Sequence, residues 1–431
     1  MRPGARSLAD AARNRTTKMS IHYHPRDYWH FGRMFRRSRR RHRAWGRQYE
    51  EAVRGGTFRL PSPAVVQFIP TEACNLRCPF CNQWGENGYF LDGTRRARQA
   101  DESALVGLVR GLSPQASLIN IHGGEPLAYK HIDSLLEILG RRKFDVLLTT
   151  NGTLMQAHLE QLAGIENLAF ILSVDGDEES HDRVRGPGRF RQTREGLEAL
   201  FRLRRKLKMP LPLVIMSIVV CEWTTDVIEK AFEVAREFGV FVINYNLRYF
   251  MPEEAGLAYE KHLEEHFGLK SSGAWRGWIA PRHEQHDYRA AAESLRRLFG
   301  RKRFRLLPPY AVTGPDHLRG KDYEAWFTDY LDTFGNESCF MPFYWARVHA
   351  NGDLTFCPGH PDIVAGNVFR DGLMPAFNSE LAVKFRKHIL NNRMPICNRC
   401  CGLYMTNPAR PYEQKARRNL GLPGTVKTHW P

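Results

Sequence analysis

Short apolar runs rich in β-branched residues alternate with longer amphipathic stretches from residue 64 onward. Six runs have the length of strands: Val65–Pro70, Leu118–His122, Val146–Thr150, Phe170–Val174, Leu213–Val220 and Val240–Leu247. The stretches between them repeat their apolar residues at helical spacing, near 101–112, 130–141, 154–164, 192–207 and 224–238. Short apolar runs separated by helices are typical of βα units around a parallel sheet.

The order of these elements predicts an α/β fold in which six βα units form a partial (β/α)6 TIM-like barrel. Right-handed crossovers curl such units in one direction, and the chemistry of these barrels lies at the C-terminal ends of the strands. Five of the nine cysteines fall after residue 305, among shorter apolar runs, which favours a separate α+β extension. We expect a basic N-terminal extension at 1–60, the barrel at 61–255, a helical linker at 256–304, and the extension with a basic tail at 305–431.

Positive charge is concentrated at the two ends of the chain, which carries +17 overall. Residues 1–60 hold 16 Lys and Arg against 4 Asp and Glu, and residues 392–431 hold 7 against 1. The middle of the chain, residues 61–391, is nearly neutral, which argues against a nucleic-acid channel through the core. Arginines and aromatic residues share residues 26–50 at helical spacing. Two interpretations fit this segment: a helix that caps the barrel, or a contact with an anionic surface such as lipid, nucleic acid or an acidic peptide.

The chain of 431 residues has no apolar run of about 18 residues, so no transmembrane segment is predicted. Its basic N-terminus lacks the apolar stretch of a secretory signal. We therefore expect a cytoplasmic protein, with Met19 as an alternative start because residues 1–18 are polar. Disulfides are rare in that compartment. Eight of the nine cysteines cluster at 74–81 and 339–401, which indicates metal ligands.

The first cysteine group follows the first predicted strand and reads Cys74-x-x-x-Cys78-x-x-Cys81. Three thiolates at this spacing can ligate three irons of a 4Fe–4S cubane and leave the fourth iron open for a non-protein ligand. A zinc knuckle is the alternative, but it needs a fourth protein ligand. No His or Cys follows Cys81 closely in the sequence.

This spacing, with the aromatic Phe80 before the last cysteine, resembles the signature of the radical S-adenosylmethionine (radical SAM) superfamily over residues 64–250. The resemblance implies that the open iron binds the amino and carboxylate groups of S-adenosylmethionine. It also implies reductive cleavage to methionine and a 5′-deoxyadenosyl radical, which abstracts hydrogen from a substrate. An electron donor such as flavodoxin or ferredoxin is then expected, and Phe80 is placed among the residues around the cofactor.

The second predicted strand ends in Gly123, Gly124, Glu125 and Pro126, which resemble the GGEP motif of that family. Two glycines allow backbone to approach a ligand closely. Glu125 and the backbone carbonyls of the motif are expected to accept hydrogen bonds from the methionine ammonium.

The ends of the next two strands carry further residues that match the cofactor contacts of the family. Asn151 follows the third strand, and Ser173 and Asp175 end the fourth. The resemblance implies contacts from these side chains to the ribose or the carboxylate of the cofactor. Arg185, shortly after them, is expected to pair with the methionine carboxylate in bidentate fashion, the alternative being a surface arginine.

The second cysteine group resembles the C-terminal extension called SPASM, or its shortened form, twitch. Its four candidate ligands are Cys339, Cys357, Cys397 and Cys400. Asn351-Gly352 falls between the first two and predicts a hairpin turn. Four such thiols imply one auxiliary 4Fe–4S cluster, and the lack of any cysteine after Cys401 favours the twitch form. A structural zinc site with the same ligands is the alternative, and Cys401 is either an alternative ligand or a spare thiol.

Two enzyme functions stay open: hydrogen abstraction from a peptide or protein substrate, and oxidation of a small molecule such as an aminocyclitol or sugar alcohol. In both, the auxiliary cluster would accept an electron or bind substrate, as in an oxidoreductase. A non-enzymatic zinc or iron–sulfur protein is the third interpretation. Cys221 is the candidate catalytic hydrogen-atom donor, although cysteine is also commonly buried. Substrate contacts are expected within 245–345, where Arg248, Tyr249 and Trp345 are candidates by position.

Overall fold

A computed structural model describes residues 22–91, 95–279, 288–300, 311–313, 322–336, 339–359 and 361–405. The alternative start at Met19 and the basic tail beyond residue 405 lie outside these residues. The described strands are β1 Val65–Phe68, β2 Leu118–Ile121, β3 Asp145–Thr150, β4 Asn167–Ser173, β5 Leu213–Val220, β6 Val242–Leu247, β7 Ala311–Thr313, β8 Trp345–Val348, β9 Asp353–Thr355 and β10 Gly366–Asn367.

The described helices divide between the barrel and the extension. Those up to residue 300 are α1 Pro25–Arg54, α2 Glu102–Gly111, α3 Ile132–Arg141, α4 Leu159–Gly164, α5 Glu178–Arg185, α6 Arg189–Lys206, α7 Ile228–Phe238, α8 Glu253–Phe267 and α9 Arg289–Gly300. Those after it are α10 Asp322–Thr328, α11 Met341–Tyr344, α12 Val368–Asp371, α13 Leu373–Phe377, α14 Glu380–Asn391 and α15 Cys401–Met405. No helix within these described segments is both long and apolar enough to cross a membrane.

The described strands form one sheet in the order β10-β9-β8-β1-β2-β3-β4-β5-β6-β7. Strands β1 to β6 are parallel neighbours in chain order, and β7 adds to β6 in the same direction. The predicted partial barrel is confirmed, because each predicted strand forms at its expected place and a helix returns the chain between neighbours. The carboxyl ends of these strands therefore lie at one edge, where the cysteine loop also begins.

The extension joins this same sheet on the side of β1. Strand β8 pairs with β1 in parallel, with Trp345 opposite Val65. Strands β9 and β10 continue the sheet in antiparallel fashion. The predicted hairpin turn at Asn351-Gly352 is present between β8 and β9. Gly352 has a φ of 84°, and a Cβ there would lie 2.5 Å from the Phe369 ring, so the turn requires glycine.

Helix α1 is the helix predicted within 26–50, and it packs across the N-terminal ends of the strands. Arg37 and Arg41 each reach the buried Asp145 at the start of β3, with N–O distances of 2.7 Å. Trp45 is also buried and donates from its indole nitrogen to Phe343 O at 3.0 Å. Part of the arginine-rich segment therefore closes the bottom of the barrel, as the capping interpretation predicts.

Candidate functional site

The first cysteine group lies in the loop that leaves the C-terminal end of β1. Cys81 N donates to Cys78 O at 3.0 Å, and Leu76 N donates to Cys74 Sγ at 3.4 Å. Burial, together with the charges of Glu125 and the two other thiols, raises the pKa of Cys74 to about 12. Because the three thiols lie close enough to disfavour one another's negative charge, a bound metal cluster would stabilise them as thiolates.

The two glycines at the end of β2 lie directly against the segment that leads into Cys74. Glu125 N donates to Ala73 O at 2.8 Å. A Cβ on Gly124 would lie 2.2 Å from Ala73 O, and Gly123 adopts a φ of 149°. The two glycines therefore allow the end of β2 to pack closely against the backbone of the cysteine loop.

Glu125 is buried, and both oxygens of its carboxylate accept hydrogen bonds from the protein. Its Oε1 accepts from the Thr150 hydroxyl at 2.7 Å and from Leu127 N at 3.0 Å, and its Oε2 accepts from Asn151 N at 2.8 Å. Burial nevertheless raises its pKa. The side chain ties the ends of β2 and β3 together and begins the turn at Pro126. Contact of Glu125 with a methionine ammonium stays a prediction.

Asn151 and Ser173 lie at the ends of neighbouring strands, and Asn151 contacts the cysteine loop. Asn151 Nδ2 donates to Asn75 Oδ1 at 2.9 Å, which fixes the end of β3 against the residue after Cys74. Ser173 is the half-buried last residue of β4 and lies in register with Ser217 of β5. Polar side chains therefore converge at the barrel mouth, as their positions at parallel strand ends predict.

Arg185 and Asp175 form a buried ion pair at the barrel mouth. The Arg185 Nε donates to Asp175 Oδ2 at 2.6 Å, with side-chain exposures of 7% and 0%. The guanidinium carbon lies 5.8 Å from the centre of the Phe80 ring. Burial alone lowers the pKa of Arg185, but Asp175 and the Cys78 thiol outweigh it and raise the pKa. Arg185 is therefore not a surface arginine, and it forms its ion pair with Asp175. Its pairing with the methionine carboxylate stays a prediction.

Cys221 lies immediately after β5 and is 0% exposed. Its Sγ lies 3.6 Å from the Thr224 hydroxyl, and burial raises its pKa to about 11. The thiol is therefore closed off from solvent, and the hydrogen-donor role of Cys221 stays a prediction.

Four cysteines of the extension line one small cavity. They are Cys339, Cys357, Cys397 and Cys400. Cys339 lies two residues before α11, Cys357 lies in the loop after β9, Cys397 ends the turn Pro395–Cys397, and Cys400 directly precedes α15. Burial and the neighbouring Cys400 raise the pKa of Cys397 to about 12. Buried thiols that converge on one space fit a cluster held by four thiolates.

Cys401 lies on the other side of Cys400. It lines a neighbouring cavity with Tyr249 and Trp278. A hydrogen bond with Cys400, followed by burial, raises the pKa of Cys401. This placement favours the spare-thiol interpretation of Cys401.

All nine cysteines are free. Within the segments that the structure describes, no group of three or more His, Cys, Asp or Glu side chains is arranged to hold a single metal ion. Metal analysis of the purified protein distinguishes zinc from iron–sulfur at both sites.

A cavity of about 600 Å³ has residues from the loops of both cysteine groups in its wall. Asn82 and Gln83, which directly follow Cys81, form part of its wall, and Cys357 of the second group forms another part. The charged residues that line the cavity are Glu72, Arg95, Arg96, Arg98, Lys270, Arg347, Asp353 and Asp362. A molecule in this cavity would contact both cysteine-bearing loops.

Arg347 is the lining residue that sequence reasoning missed. It lies on β8 opposite Gln67 of β1, and this pairing joins segments 280 residues apart in the chain. The candidates chosen by position have other surroundings. Arg248 pairs with Glu222, and Tyr249 lies beside Cys400 and Cys401.

Comparison with family models identifies two domains in the chain. Residues 68–235 match the model described as radical SAM superfamily, and residues 339–401 match the iron–sulfur cluster-binding domain SPASM. The first contains Cys74, Cys78, Cys81 and Cys221, and the second contains the five remaining cysteines.

Two curated relatives each match less than a third of this chain. A 7-carboxy-7-deazaguanine synthase from Aquifex aeolicus is 32% identical over 26% of this chain and 47% of its own length. A GTP 3′,8-cyclase from Stenotrophomonas maltophilia is 35% identical over 30% of this chain and 39% of its own length. The chain therefore spans less than half the length of these two relatives.

Among solved structures, SuiB of Streptococcus suis bound to the precursor peptide SuiA matches 82% of this chain and 73% of its own, with a TM-score of 0.53. The sequence identity is 16%, so this likeness shows a shared fold.

Proposed function

We propose that this chain, which carries a radical SAM domain followed by a SPASM iron–sulfur domain, is an enzyme that removes hydrogen from a peptide or protein substrate. The observation that carries the proposal is the cavity of about 600 Å³ with a cysteine-bearing loop from each domain in its wall. When bound, S-adenosylmethionine and its 4Fe–4S cluster supply a 5′-deoxyadenosyl radical for hydrogen abstraction, and the auxiliary cluster supplies an electron acceptor.

The protein's own residues hold and shield these groups. Cys74, Cys78 and Cys81 would hold the first cluster. Glu125 supports their loop by fixing the ends of two strands against it. Arg185 places a buried positive charge next to Cys78, which favours negative charge on the thiolates and on an anionic cofactor group.

A peptide substrate is supported by the size and position of the cavity and by the fold shared with SuiB, whose structure holds a precursor peptide. The second candidate is a small-molecule substrate. It is favoured by the names of the curated relatives, a 7-carboxy-7-deazaguanine synthase and a GTP 3′,8-cyclase.

The test follows the abstracted hydrogen into 5′-deoxyadenosine. Anaerobically reconstituted protein would receive S-adenosylmethionine, dithionite and a tryptic digest of uniformly deuterated bacterial protein. A parallel reaction would receive deuterated sugar and cyclitol alcohols. Mass spectrometry should find deuterium in 5′-deoxyadenosine from the peptide reaction alone, because the radical takes its hydrogen directly from the substrate.

A Cys78→Ala variant is the control for background cleavage. Deuterium transfer from the alcohols alone would replace the peptide assignment with the small-molecule one. Unlabelled product from both reactions would contradict the peptide proposal while leaving the cleavage reaction intact.

A further inference from the structure

Arg347 is a buried arginine in the wall of the large cavity. It is 7% exposed, and its Nε finds no hydrogen-bond acceptor among the residues that the structure describes. Within the described segments, its guanidinium makes no salt bridge with a carboxylate. A buried guanidinium without a partner destabilises the folded state. Such a group in a cavity wall can therefore bind an anion that enters the cavity.

The carboxylates of the same cavity are already occupied by other partners. Glu72 pairs with Arg98 through two N–O contacts of 3.2 Å. Asp362 accepts from the Tyr259 hydroxyl at 2.8 Å and from Ser272 N at 2.7 Å. Asp353 accepts from two asparagine side chains at 2.6 and 3.1 Å. These acids are therefore held by their own contacts instead of by Arg347.

The two imidazoles near Arg347 do not compensate its charge. Burial and the charge of Arg347 lower the pKa of His122 and of His349 to about 3. His349 is additionally in hydrogen-bond contact with the Thr355 hydroxyl at 2.8 Å. Both rings are neutral at neutral pH, so neither offsets the charge of Arg347, whose electrostatic neighbours also include Tyr89 and the thiols of Cys401, Cys357 and Cys400.

The rim of the cavity has the same sign of charge. Arg96 is exposed at the rim, and Arg95 and Lys270 line the cavity nearby. Positive charge around an opening attracts an anionic molecule and raises its association rate. Arg347 lies deeper in the wall than this rim, as its low exposure shows.

We propose that Arg347 binds a carboxylate of the substrate and so selects a peptide segment with an acidic side chain or a free C-terminus. The inference rests on the proposed function, since it concerns the substrate of the same cavity. The planar guanidinium can donate two parallel hydrogen bonds to one carboxylate, which adds orientation to affinity. Bound in this way, the peptide would be held between the loop that follows Cys81 and the loop that carries Cys357.

The test measures binding of three fluorescent pentapeptides to the reconstituted holoprotein by anisotropy. One has a central Glu and a C-terminal amide, one has Gln at that position, and one has Gln with a free C-terminus. Wild type should bind at least one carboxylate peptide about tenfold more tightly than the neutral one, as expected for a charge-assisted hydrogen bond. The first and third peptides, each compared with the neutral second one, distinguish a side-chain carboxylate from a terminal one.

Arg347→Gln should abolish the preference, and Arg347→Lys should keep part of it. Arg141→Gln is the matched control, because it removes the same charge from a side chain that is 78% exposed on α3. Iron content and the thermal unfolding curve of each variant establish that the variants fold and keep their clusters.

Equal or undetectable binding of all three peptides by wild type would overturn the proposal, as would an unchanged preference in Arg347→Gln. Loss of iron from both Arg347 variants would assign the residue to the auxiliary cluster and also overturn it. Peptide binding does not require catalytic turnover. A failure of the proposed function would therefore be seen separately, because the wild-type protein would release no 5′-deoxyadenosine.

Discussion

Replacing Asp175 by Asn removes one charge of a buried ion pair and leaves the other in place. The N–O distance of the Arg185–Asp175 pair is 2.6 Å, and both side chains are at least nine-tenths buried. Charge centres roughly 4 Å apart attract by about 4 kcal/mol at an effective dielectric constant near 20. Breaking a buried pair by removing one partner costs about 3–5 kcal/mol, because the remaining charge stays buried. We therefore expect Asp175→Asn to lower the free energy of unfolding by this amount.

The same helix offers a matched control. Arg183 of α5 pairs with Asp226 at 2.9 Å, but these side chains are 48% and 56% exposed. Solvent screens such a pair, so Asp226→Asn should cost about 0–1 kcal/mol. Urea unfolding of the metal-free proteins, followed by tryptophan fluorescence and circular dichroism, measures both values.

A loss below about 1 kcal/mol for Asp175→Asn, equal to that of the control, would refute the reasoning from burial. The double variant Asp175→Asn with Arg185→Gln sharpens the test. Its loss should be smaller than the sum of the single losses, because the second change removes the charge that the first one stranded.

Three further predictions concern the glycine turn, the cysteine ligands and the response to pH. Gly124→Ala places a Cβ 2.2 Å from a backbone carbonyl and should reduce iron loading. The control Gly107→Ala, whose Cβ meets nothing within 4 Å inside α2, should keep normal iron loading. Equal iron loading of the two variants in a colorimetric assay would contradict this prediction. Cys397→Ala should remove about four irons per chain and Cys401→Ala none, and equal losses would place Cys401 among the ligands. Burial lowers the pKa of His181 well below its usual value near 6.5. As the pH falls below about 6.5, His181 therefore becomes protonated in the unfolded chain but not in the folded protein. Stability should then fall by up to about 1.4 kcal/mol per pH unit for this group, and His181→Asn should flatten the decline in urea unfolding between pH 7 and 5; an unchanged slope would contradict the assignment.

The barrel could be predicted from the sequence because its strands are short, predominantly apolar runs that alternate with amphipathic helices. The extension was less predictable in its pairing. Its strands β8, β9 and β10 are two to four residues long, too short for a clear alternating pattern. The parallel pairing of β8 with β1 depends on a contact between segments 280 residues apart, which local periodicity does not encode.

Among the site residues, spacing identified the cysteine groups but not the electrostatics around them. The Asp175–Arg185 pair forms only when the turn after β4 and helix α5 fold back on each other. The hydrogen bonds from the neighbouring strand end to the Glu125 carboxylate also had no signal in the sequence, and its contact with a ligand stays a prediction. Arg347 gave no signal in the sequence, because its role depends on burial and on which carboxylates around it are already paired.

The central claim is that Cys74, Cys78 and Cys81 hold the cluster at which S-adenosylmethionine is cleaved. Its most direct test is the release of 5′-deoxyadenosine by the anaerobically reconstituted protein with S-adenosylmethionine and dithionite, measured beside Cys78→Ala. We expect release by wild type, together with bound iron and acid-labile sulfide, and only background from the variant. Absence of 5′-deoxyadenosine from wild type, with zinc as its only bound metal, would contradict the claim.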